Sequence, residues 1–300
     1  MSDFPPEKKT KTQVFAARLL STLLLWAVVT AVFCSANVWA FIGLMSFFSI
    51  LSVREYFQMT EKGGMPSQPK WGMLVSLAYI VVIGSVLAHE GKDALEGLFA
   101  IDVAFVLLMV MGGLACQLRR AVEGKNTVTE VAVTTLGFVY VVVMFSFLAR
   151  LLFVPELDSA VPGAWLVIWL VAVTKFTDMG AYAVGSLIGK HKMIPHISPG
   201  KTWQGLGGGF MFALLAGCGL FFLMPEQLGV LGNWWNVIIL SLILGLLAVV
   251  GDLAESVLKR SIGVKDSGQT LPGIGGMLDL IDSLCFTAPA LYFFLKWMPV

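Results

Sequence analysis

The stretch Trp235–Ser256, WNVIILSLILGLLAVVGDLAES, decides the fold class of this chain. It carries no charged residue before Asp252, and a helix of about 20 mostly apolar residues is long enough to cross the hydrocarbon core of a bilayer. A run this apolar has no favourable place on a surface in water. We therefore predict a membrane-spanning helix whose far end, from Asp252 onward, is polar.

The composition of the whole chain agrees with this prediction. Of its 300 residues, 57% are hydrophobic and 13% are charged, with a mean hydropathy of +0.84, whereas a soluble domain carries about a quarter charged residues. The net charge of +1 excludes a basic nucleic-acid binder, and the apolar content excludes a disordered chain. The 4 cysteines have no CxxC spacing and are most simply free thiols. The sequence predicts an all-α integral membrane protein.

The same length criterion predicts nine transmembrane helices in total. A polar cytosolic tail, residues 1–13, precedes them, and residues 14–300 form a single polytopic membrane domain because no linker or clear repeat interrupts them. The predicted spans are Val14–Cys34, Asn37–Val53, Trp71–His89, Leu98–Gln117, Val128–Ala149, Ala164–Ser186, Gly205–Met224, Trp235–Ser256 and Met277–Trp297.

Charge in the loops predicts the orientation of these spans. Short cytosolic loops of membrane proteins are enriched in Lys and Arg. With nine spans and a cytosolic N-terminus, the outer loops hold only Lys92, Arg150 and Lys296 among the basic residues that follow the first span. We therefore predict that the C-terminus lies on the opposite side of the membrane from the N-terminus.

The dense polar clusters fall within residues 171–290, which we predict to be the catalytic portion. The first cluster includes Asp178, and an Asp facing hydrocarbon is disfavoured by about 3 kcal/mol, so it should face a cavity or a partner. An ion pair with Lys175 explains the same pattern equally well. The glycines that follow, Gly180, Gly185 and Gly189, are also explained as helix-packing positions.

The second cluster is the loop that follows the sixth predicted span. Gly200-Lys201-Thr202 is not a P-loop, because Pro195 stands where that motif needs Gly and no strand precedes it. Cations, a hydroxyl and exposed backbone N–H groups suit an anionic phosphate ligand, although contact with lipid headgroups would explain the lysines alone. The loop contains Lys190, His191, Lys192, His196, Ser198, Pro199, Gly200, Lys201 and Thr202.

The third cluster lies at the end of the eighth predicted span. Asp252, Glu255, Ser256 and Lys259 are spaced i, i+3, i+4 and i+7 and so share one helix face. A salt-bridged network that seals two helix ends is one explanation. Carboxylates beside cations also suit Mg²⁺-assisted phosphoryl or nucleotidyl transfer. Arg260, Lys265, Asp266, Gly273, Gly275, Gly276, Asp279 and Asp282 follow in the sequence.

These motifs resemble a known family, the phosphatidate cytidylyltransferases, also called CDP-diacylglycerol synthases. The resemblance is carried by Ser256-Val-Leu-Lys-Arg260, Lys265-Asp266, Leu271-Pro-Gly273, Gly275-Gly276 and the pair Asp279 and Asp282. Asp178-Met-Gly-Ala-Tyr182 and Ser198-Pro-Gly-Lys-Thr202 are similar to two earlier motifs of the family, in the same order. Length and span number resemble those of its bacterial members.

The resemblance implies that CTP and phosphatidate give CDP-diacylglycerol and pyrophosphate, with Mg²⁺ or another divalent metal, as one ion or two. It implies an integral protein of the bacterial cytoplasmic (inner) membrane, with the active site facing the cytosol, and leaves open a homodimer. It further implies metal ligands at Asp252, Asp279 and Asp282, catalytic roles for Asp178, Lys201, Lys259, Arg260, Lys265 and Asp266, and substrate contacts at Ser198, Thr202, Ser256, Gly275 and Gly276.

The chain departs from the commonest family pattern at Gln204, Ile274 and Leu280, where many members have Glu, His and Arg. Because the acids and cations are retained, we expect activity nonetheless. A CTP-dependent polyprenol kinase and a catalytically silent scaffold are alternatives. A secondary transporter is a less favoured one, because its binding residues would lie near the bilayer midplane between related halves.

Overall fold

The computed structural model describes residue 24 and residues 27–120, 124–154, 163–264, 266–268, 270 and 275–297. Within these ranges, 8 helices are long and apolar enough to cross a membrane. They are α1 (Val38–Lys62), α2 (Pro69–Glu90), α3 (Leu98–Gln117), α4 (Lys125–Leu151), α5 (Ala164–Ile188), α6 (Trp203–Leu223), α7 (Trp234–Ser261) and α8 (Met277–Trp297).

The structure confirms an all-α integral membrane protein. The predicted spans Leu98–Gln117 and Met277–Trp297 coincide with α3 and α8. Most of the first predicted span, Val14–Cys34, lies outside the described residues, as does the predicted tail, so the total of nine spans and the orientation stay predictions. The described residues of this span, residue 24 and residues 27–34, are helical.

Helix α1 continues nine residues beyond the predicted span Asn37–Val53. The predicted span stops before Arg54, where the apolar run ends, but the helix itself continues through polar residues to Lys62. Its start agrees with the sequence, since the side chain of Asn37 accepts hydrogen bonds from the amides of Trp39 and Ala40 and so caps the helix. The extra turns place polar side chains of α1 at one end of the bundle.

Helices α4 and α8 lie at the centre of the described bundle, since a larger share of their spans is buried than of the other described spans. Helix α4 contains a π-helical segment, Phe138–Val143. Such segments are rare and change the direction in which side chains project relative to a regular α-helix. Tyr140 of this segment is buried, and its ring lies 6.2 Å from that of Phe286 on α8, centroid to centroid.

The prediction that Arg150 lies in an outer loop is wrong. Arg150 belongs to α4, is 2% exposed, and its guanidinium donates to both carboxylate oxygens of Asp102 on α3, at 2.6 and 2.8 Å. Tyr79 of α2 donates to the same carboxylate at 2.8 Å. A buried Arg is stable only when it is paired and hydrogen-bonded, so its charge carries no information about loop orientation.

The segment predicted as a loop at residues 190–202 contains a β-hairpin. Strands β1 (Lys192–Ile194) and β2 (Ser198–Thr202) pair antiparallel, with Lys192 opposite Thr202 and Ile194 opposite Ser198. The sequence shows no strand signal here, because β1 has only 3 residues and β2 contains Pro199 and Gly200, which are both disfavoured in strands. The P-loop remains excluded, because Gly200 and Lys201 lie within β2, which leads directly into α6.

Helices α5 and α6 approach each other closely through glycine, as the packing explanation of the glycines predicted. A Cβ atom on Gly208 of α6 would lie 2.4 Å from Cβ of Val184 and 2.7 Å from the carbonyl oxygen of Gly180, both on α5. Small residues allow helix backbones to approach in this way. This contact fixes α5 against the helix that follows the hairpin.

We expect Gly208→Ala to destabilise the protein relative to Gly207→Ala. A Cβ atom on Gly207 would meet nothing within 4 Å, so Gly207→Ala should leave stability unchanged or raise it by up to about 1 kcal/mol through helix propensity. Gly208→Ala must move backbone atoms and should cost about 1–3 kcal/mol. Apparent melting temperatures in detergent measure the difference, and equal values for the two variants would contradict the close contact.

Candidate active site

Three carboxylates converge where the polar ends of α7 and α8 meet. Oxygen atoms of Asp252, Glu255 and Asp282 lie within 4.8 Å of one another. Asp252 and Glu255 are one helical turn apart on α7, while Asp282 comes from the second turn of α8. Gly251 allows the two helices to approach, because a Cβ atom there would lie 2.9 Å from the carbonyl oxygen of Asp282.

This carboxylate cluster is only partly neutralised by side chains. Glu255 is 1% and Asp282 is 4% exposed. Lys201 Nζ lies 2.6 Å from Asp252 Oδ2, and Lys259 Nζ lies 2.9 Å from Glu255 Oε2. Glu255 Oε1 is buried and has no hydrogen-bond partner in the described part of the chain. Closely spaced carboxylates repel one another, so the arrangement suits an oxygen-binding divalent cation.

The β-hairpin brings Lys201 to the cluster. From β2, its Nζ reaches across to α7, where it contacts Asp252 and also donates to the carbonyl oxygen of Val249 at 3.1 Å. The hairpin base is closed by Gln204, whose Oε1 accepts from the amides of Lys190 and His191, both at 3.2 Å. A glutamate at this position would offer the same acceptors, so the Gln204 departure preserves the local structure.

Asp279 has a different set of partners from the one that sequence reasoning gave it. Its carboxylate accepts from Lys259 Nζ at 2.7 Å, Ser267 Oγ at 2.8 Å and the amide of Gly276 at 2.9 Å. It therefore ties α7 and the segment before α8 to the first turn of α8. Among the described acids, Glu255 lies beside Asp252 and Asp282, whereas the role of Asp279 as a metal ligand stays a prediction.

Asp178 and Lys175 lie at the edge of the site on α5. The predicted intrahelical pair is present but long, with Lys175 Nζ 3.9 Å from Asp178 Oδ2. Lys175 Nζ instead donates to the carbonyl oxygen of Leu280 on α8 at 2.9 Å, which joins α5 to α8. The Asp178 side chain is 37% exposed, so it remains accessible from the polar side of the cluster.

Several predicted substrate-binding residues have structural partners. Thr202 is buried and caps α6, because its hydroxyl accepts from the amide of Gly205 at 3.0 Å. Gly276 donates its amide to Asp279, while Gly275 adopts a φ of +132°, which favours glycine. Ser198 and Ser256 are half-buried on β2 and α7.

Charged residues at the end of α7 lie toward the surface. Arg260 is exposed, and its Nε lies 3.5 Å from the carbonyl oxygen of Ile197 in the hairpin. Asp266 is also exposed. The predicted catalytic residue Lys265 lies outside the described residues, so its role stays a prediction.

Two residues near this site, Tyr140 and Glu55, carry no functional signal in the sequence, and spacing does not single out a third, Glu255. Glu255 was recognised as part of the α7 face, but spacing alone does not separate a cluster carboxylate from an ion-pair partner of Lys259. Tyr140 is 5% exposed, and its hydroxyl has no hydrogen-bond partner among the described residues. In an apolar span, a Tyr gives no functional signal. Glu55 fell just beyond a predicted span and gave no signal of burial either.

Comparison with known proteins gives matches over most of the chain. Residues 16–298 match the sequence model of a family described as the cytidylyltransferase family. The chain is 36% identical to phosphatidate cytidylyltransferase of Bacillus subtilis over 202 residues, 67% of this chain and 70% of that protein. It is 31% identical to phosphatidate cytidylyltransferase of a Synechocystis species over 285 residues, covering 85% of this chain and 88% of the relative.

We expect Thr202→Val to destabilise the protein and Thr202→Ser to have little effect. Valine removes the hydroxyl that accepts from the amide of Gly205, and losing such a cap costs about 0.5–2 kcal/mol. Serine keeps the hydroxyl. Apparent melting temperatures of the two variants in detergent test this, and a Thr202→Val variant as stable as Thr202→Ser would show that the cap is not important.

Proposed function

Because this chain belongs to the cytidylyltransferase family, we propose that it transfers a cytidylyl group from CTP to phosphatidate, giving CDP-diacylglycerol and pyrophosphate. The names of its relatives from B. subtilis and Synechocystis support phosphatidate as the acceptor. The observation that carries the proposal is the carboxylate cluster of Asp252, Glu255 and Asp282, with Lys201 and Lys259 beside it.

The reaction needs positioning and charge neutralisation more than it needs a protein nucleophile. An anionic oxygen of the phosphatidate phosphate attacks the α-phosphorus of CTP. A new P–O bond forms, the bond from the α-phosphorus to the bridging oxygen breaks, and pyrophosphate leaves with the electron pair. Because the attacking oxygen is already charged, no side chain has to remove a proton, and holding the groups in line supplies much of the rate.

We propose that Asp252, Glu255 and Asp282 hold a divalent cation, Mg²⁺ or a similar ion. The buried, unpartnered Glu255 Oε1 and the short distances between the carboxylates support this donor set. Mg²⁺ takes a few carboxylate oxygens and binds phosphate oxygens with its remaining positions, which neutralises charge on the triphosphate when it is bound. Asp279 contributes by fixing the position of Lys259 and of the first turn of α8.

Lys259, Lys201 and Arg260 occupy different positions around the carboxylate cluster. Lys259 is held between Glu255 and Asp279, so its charge is fixed near the cluster. Lys201 reaches the cluster from the hairpin. Arg260 is exposed at the end of α7, where a phosphate group arriving from water can contact it. We assign these three cations to the phosphates of CTP and phosphatidate.

We also propose that the site faces the cytosol of a bacterium, at its cytoplasmic membrane. Lys190, Lys192 and Arg260 are exposed around the site, and a surplus of basic residues is typical of the cytosolic side of membrane proteins. CTP is a water-soluble substrate and phosphatidate lies in the bilayer. A site at the polar ends of spanning helices is accessible to both.

We expect purified protein in detergent to form CDP-diacylglycerol and pyrophosphate from CTP, Mg²⁺ and phosphatidate. Asp282→Asn should lower the rate at least tenfold, because it removes a carboxylate charge from the cluster. Thin-layer chromatography of labelled lipid product, with pyrophosphate release, measures the reaction. A parallel assay with dolichol in place of phosphatidate tests for a polyprenol kinase. Phosphorylation of dolichol, together with no CDP-diacylglycerol in the phosphatidate assay, would contradict the proposal.

We expect Glu255→Gln and Asp282→Asn to weaken divalent metal binding more than Asp279→Asn. Mn²⁺ takes oxygen ligands like Mg²⁺ and is observable by electron paramagnetic resonance. Loss of a cluster carboxylate should raise the Mn²⁺ Kd at least tenfold, whereas Asp279→Asn should change it less than threefold. The reverse order would support the ligand set that the sequence predicted, with Asp279 in place of Glu255.

A further inference from the structure

A buried carboxylate from the first described span contacts the segment that carries Asp279 and Asp282. Glu55 of α1 is 2% exposed. Its Oε2 accepts from the amide of Leu278 at 2.9 Å, and its Oε1 accepts from the hydroxyl of Thr270. Glu55 therefore joins α1 to the first turn of α8, across a sequence separation of 223 residues.

Two glycines allow the backbone to pass close to this carboxylate. A Cβ atom on Gly268 would lie 2.5 Å from Glu55 Oε1, and one on Gly276 would lie 2.8 Å from Glu55 Oε2. A side chain at Gly268 would push against the carboxylate, and one at Gly276 would push against Ser267, the carboxylate and the backbone of Gly268, so glycine permits the close approach at both positions. Gly276 also donates its amide to Asp279, so the backbone that touches Glu55 touches a site carboxylate as well.

Hydrogen bonds from the N-terminus of α8 and from Thr270 offset the free-energy cost of burying Glu55. A carboxylate loses several kcal/mol of solvation when it leaves water, unless hydrogen bonds and opposite charge replace that solvation. The N-terminus of α8 offers a free amide and the positive end of the helix dipole. The acceptor for a free amide at a helix N-terminus is usually the side chain of a residue nearby in sequence. Here the acceptor is Glu55 of another span, so the hydrogen bond fixes α8 relative to α1.

We infer that Glu55 is a positioning residue for the proposed reaction: by holding the first turn of α8, its carboxylate sets where Asp279 and Asp282 stand relative to α7. The inference rests on the proposed function. Asp282 belongs to the carboxylate cluster, and a displacement of about 1 Å in such a site lowers the rate roughly 100-fold. Glu55 itself does not touch the reacting atoms.

The length of the side chain, rather than its charge, should decide activity. Glu55→Gln keeps the length, since its amide oxygen accepts from Leu278 and its NH2 group donates to the Thr270 hydroxyl. Glu55→Asp keeps the charge but is one methylene too short to make both contacts. Ser52→Ala is the matched control, because Ser52 is also buried on α1 and its hydroxyl has no partner among the described residues.

Each variant is purified in detergent, and only the folded, monodisperse fraction is assayed for kcat, for KM of CTP and for Mn²⁺ Kd. We expect kcat of Glu55→Asp to fall about 100-fold, with its Mn²⁺ Kd raised at least threefold. Glu55→Gln should retain kcat within about tenfold of the unmodified protein. Ser52→Ala should match the unmodified protein in all three quantities.

Two results would overturn the inference. If kcat and Mn²⁺ Kd per folded molecule stay unchanged in Glu55→Asp while its melting temperature falls, Glu55 serves stability alone. If Glu55→Asp is more active than Glu55→Gln, the charge matters rather than the length. Should the unmodified protein form no CDP-diacylglycerol, the proposed function fails, and the Mn²⁺ titration of the same variants still tests the positioning role.

Discussion

The ammonium group of Lys259 lies between two carboxylates, 2.9 Å from Glu255 on its own helix and 2.7 Å from Asp279 on α8. The polar end of the bundle depends on this bridge. Without a cation between them, the acids of α7 and α8 would repel each other in a poorly solvated region. With it, the two helices approach closely enough at Gly251 for Asp282 to join Asp252 and Glu255.

Two groups of buried acids in the described chain differ in how far their charge is neutralised. The charge of Asp102 is matched by one cation, because its carboxylate accepts from the Arg150 guanidinium and from the Tyr79 hydroxyl. In the carboxylate cluster, acids outnumber the lysines that contact them directly, and one buried oxygen of Glu255 has no partner among the described residues. A pair of matched charge stabilises a fold, while a cluster with a surplus of negative charge is suited to bind a cation.

Local patterns were sufficient to predict most of the helices and part of the site. The apolar runs defined α3 and α8 to the residue, and helical spacing correctly grouped Asp252 with Glu255. Arg150 was misplaced because a window of hydropathy treats a buried, paired charge as the end of a span. The proximity of Glu255 to Asp282, the contact of Asp279 with Lys259, and the burial of Glu55 and Tyr140 depend on which helices meet in space. No spacing within one segment contains that information.

The contact between Glu55 and Leu278 has a consequence for biosynthesis. Chains are made from the N-terminus, and Glu55 leaves the ribosome 223 residues before the amide that it binds. During that interval, α1 carries a carboxylate whose partners, Thr270 and the amide of Leu278, do not yet exist, so the cost of burying it is not yet offset. The site is completed only when the last described helix enters the membrane, which makes insertion of α8 the step that converts a partly assembled bundle into a competent one.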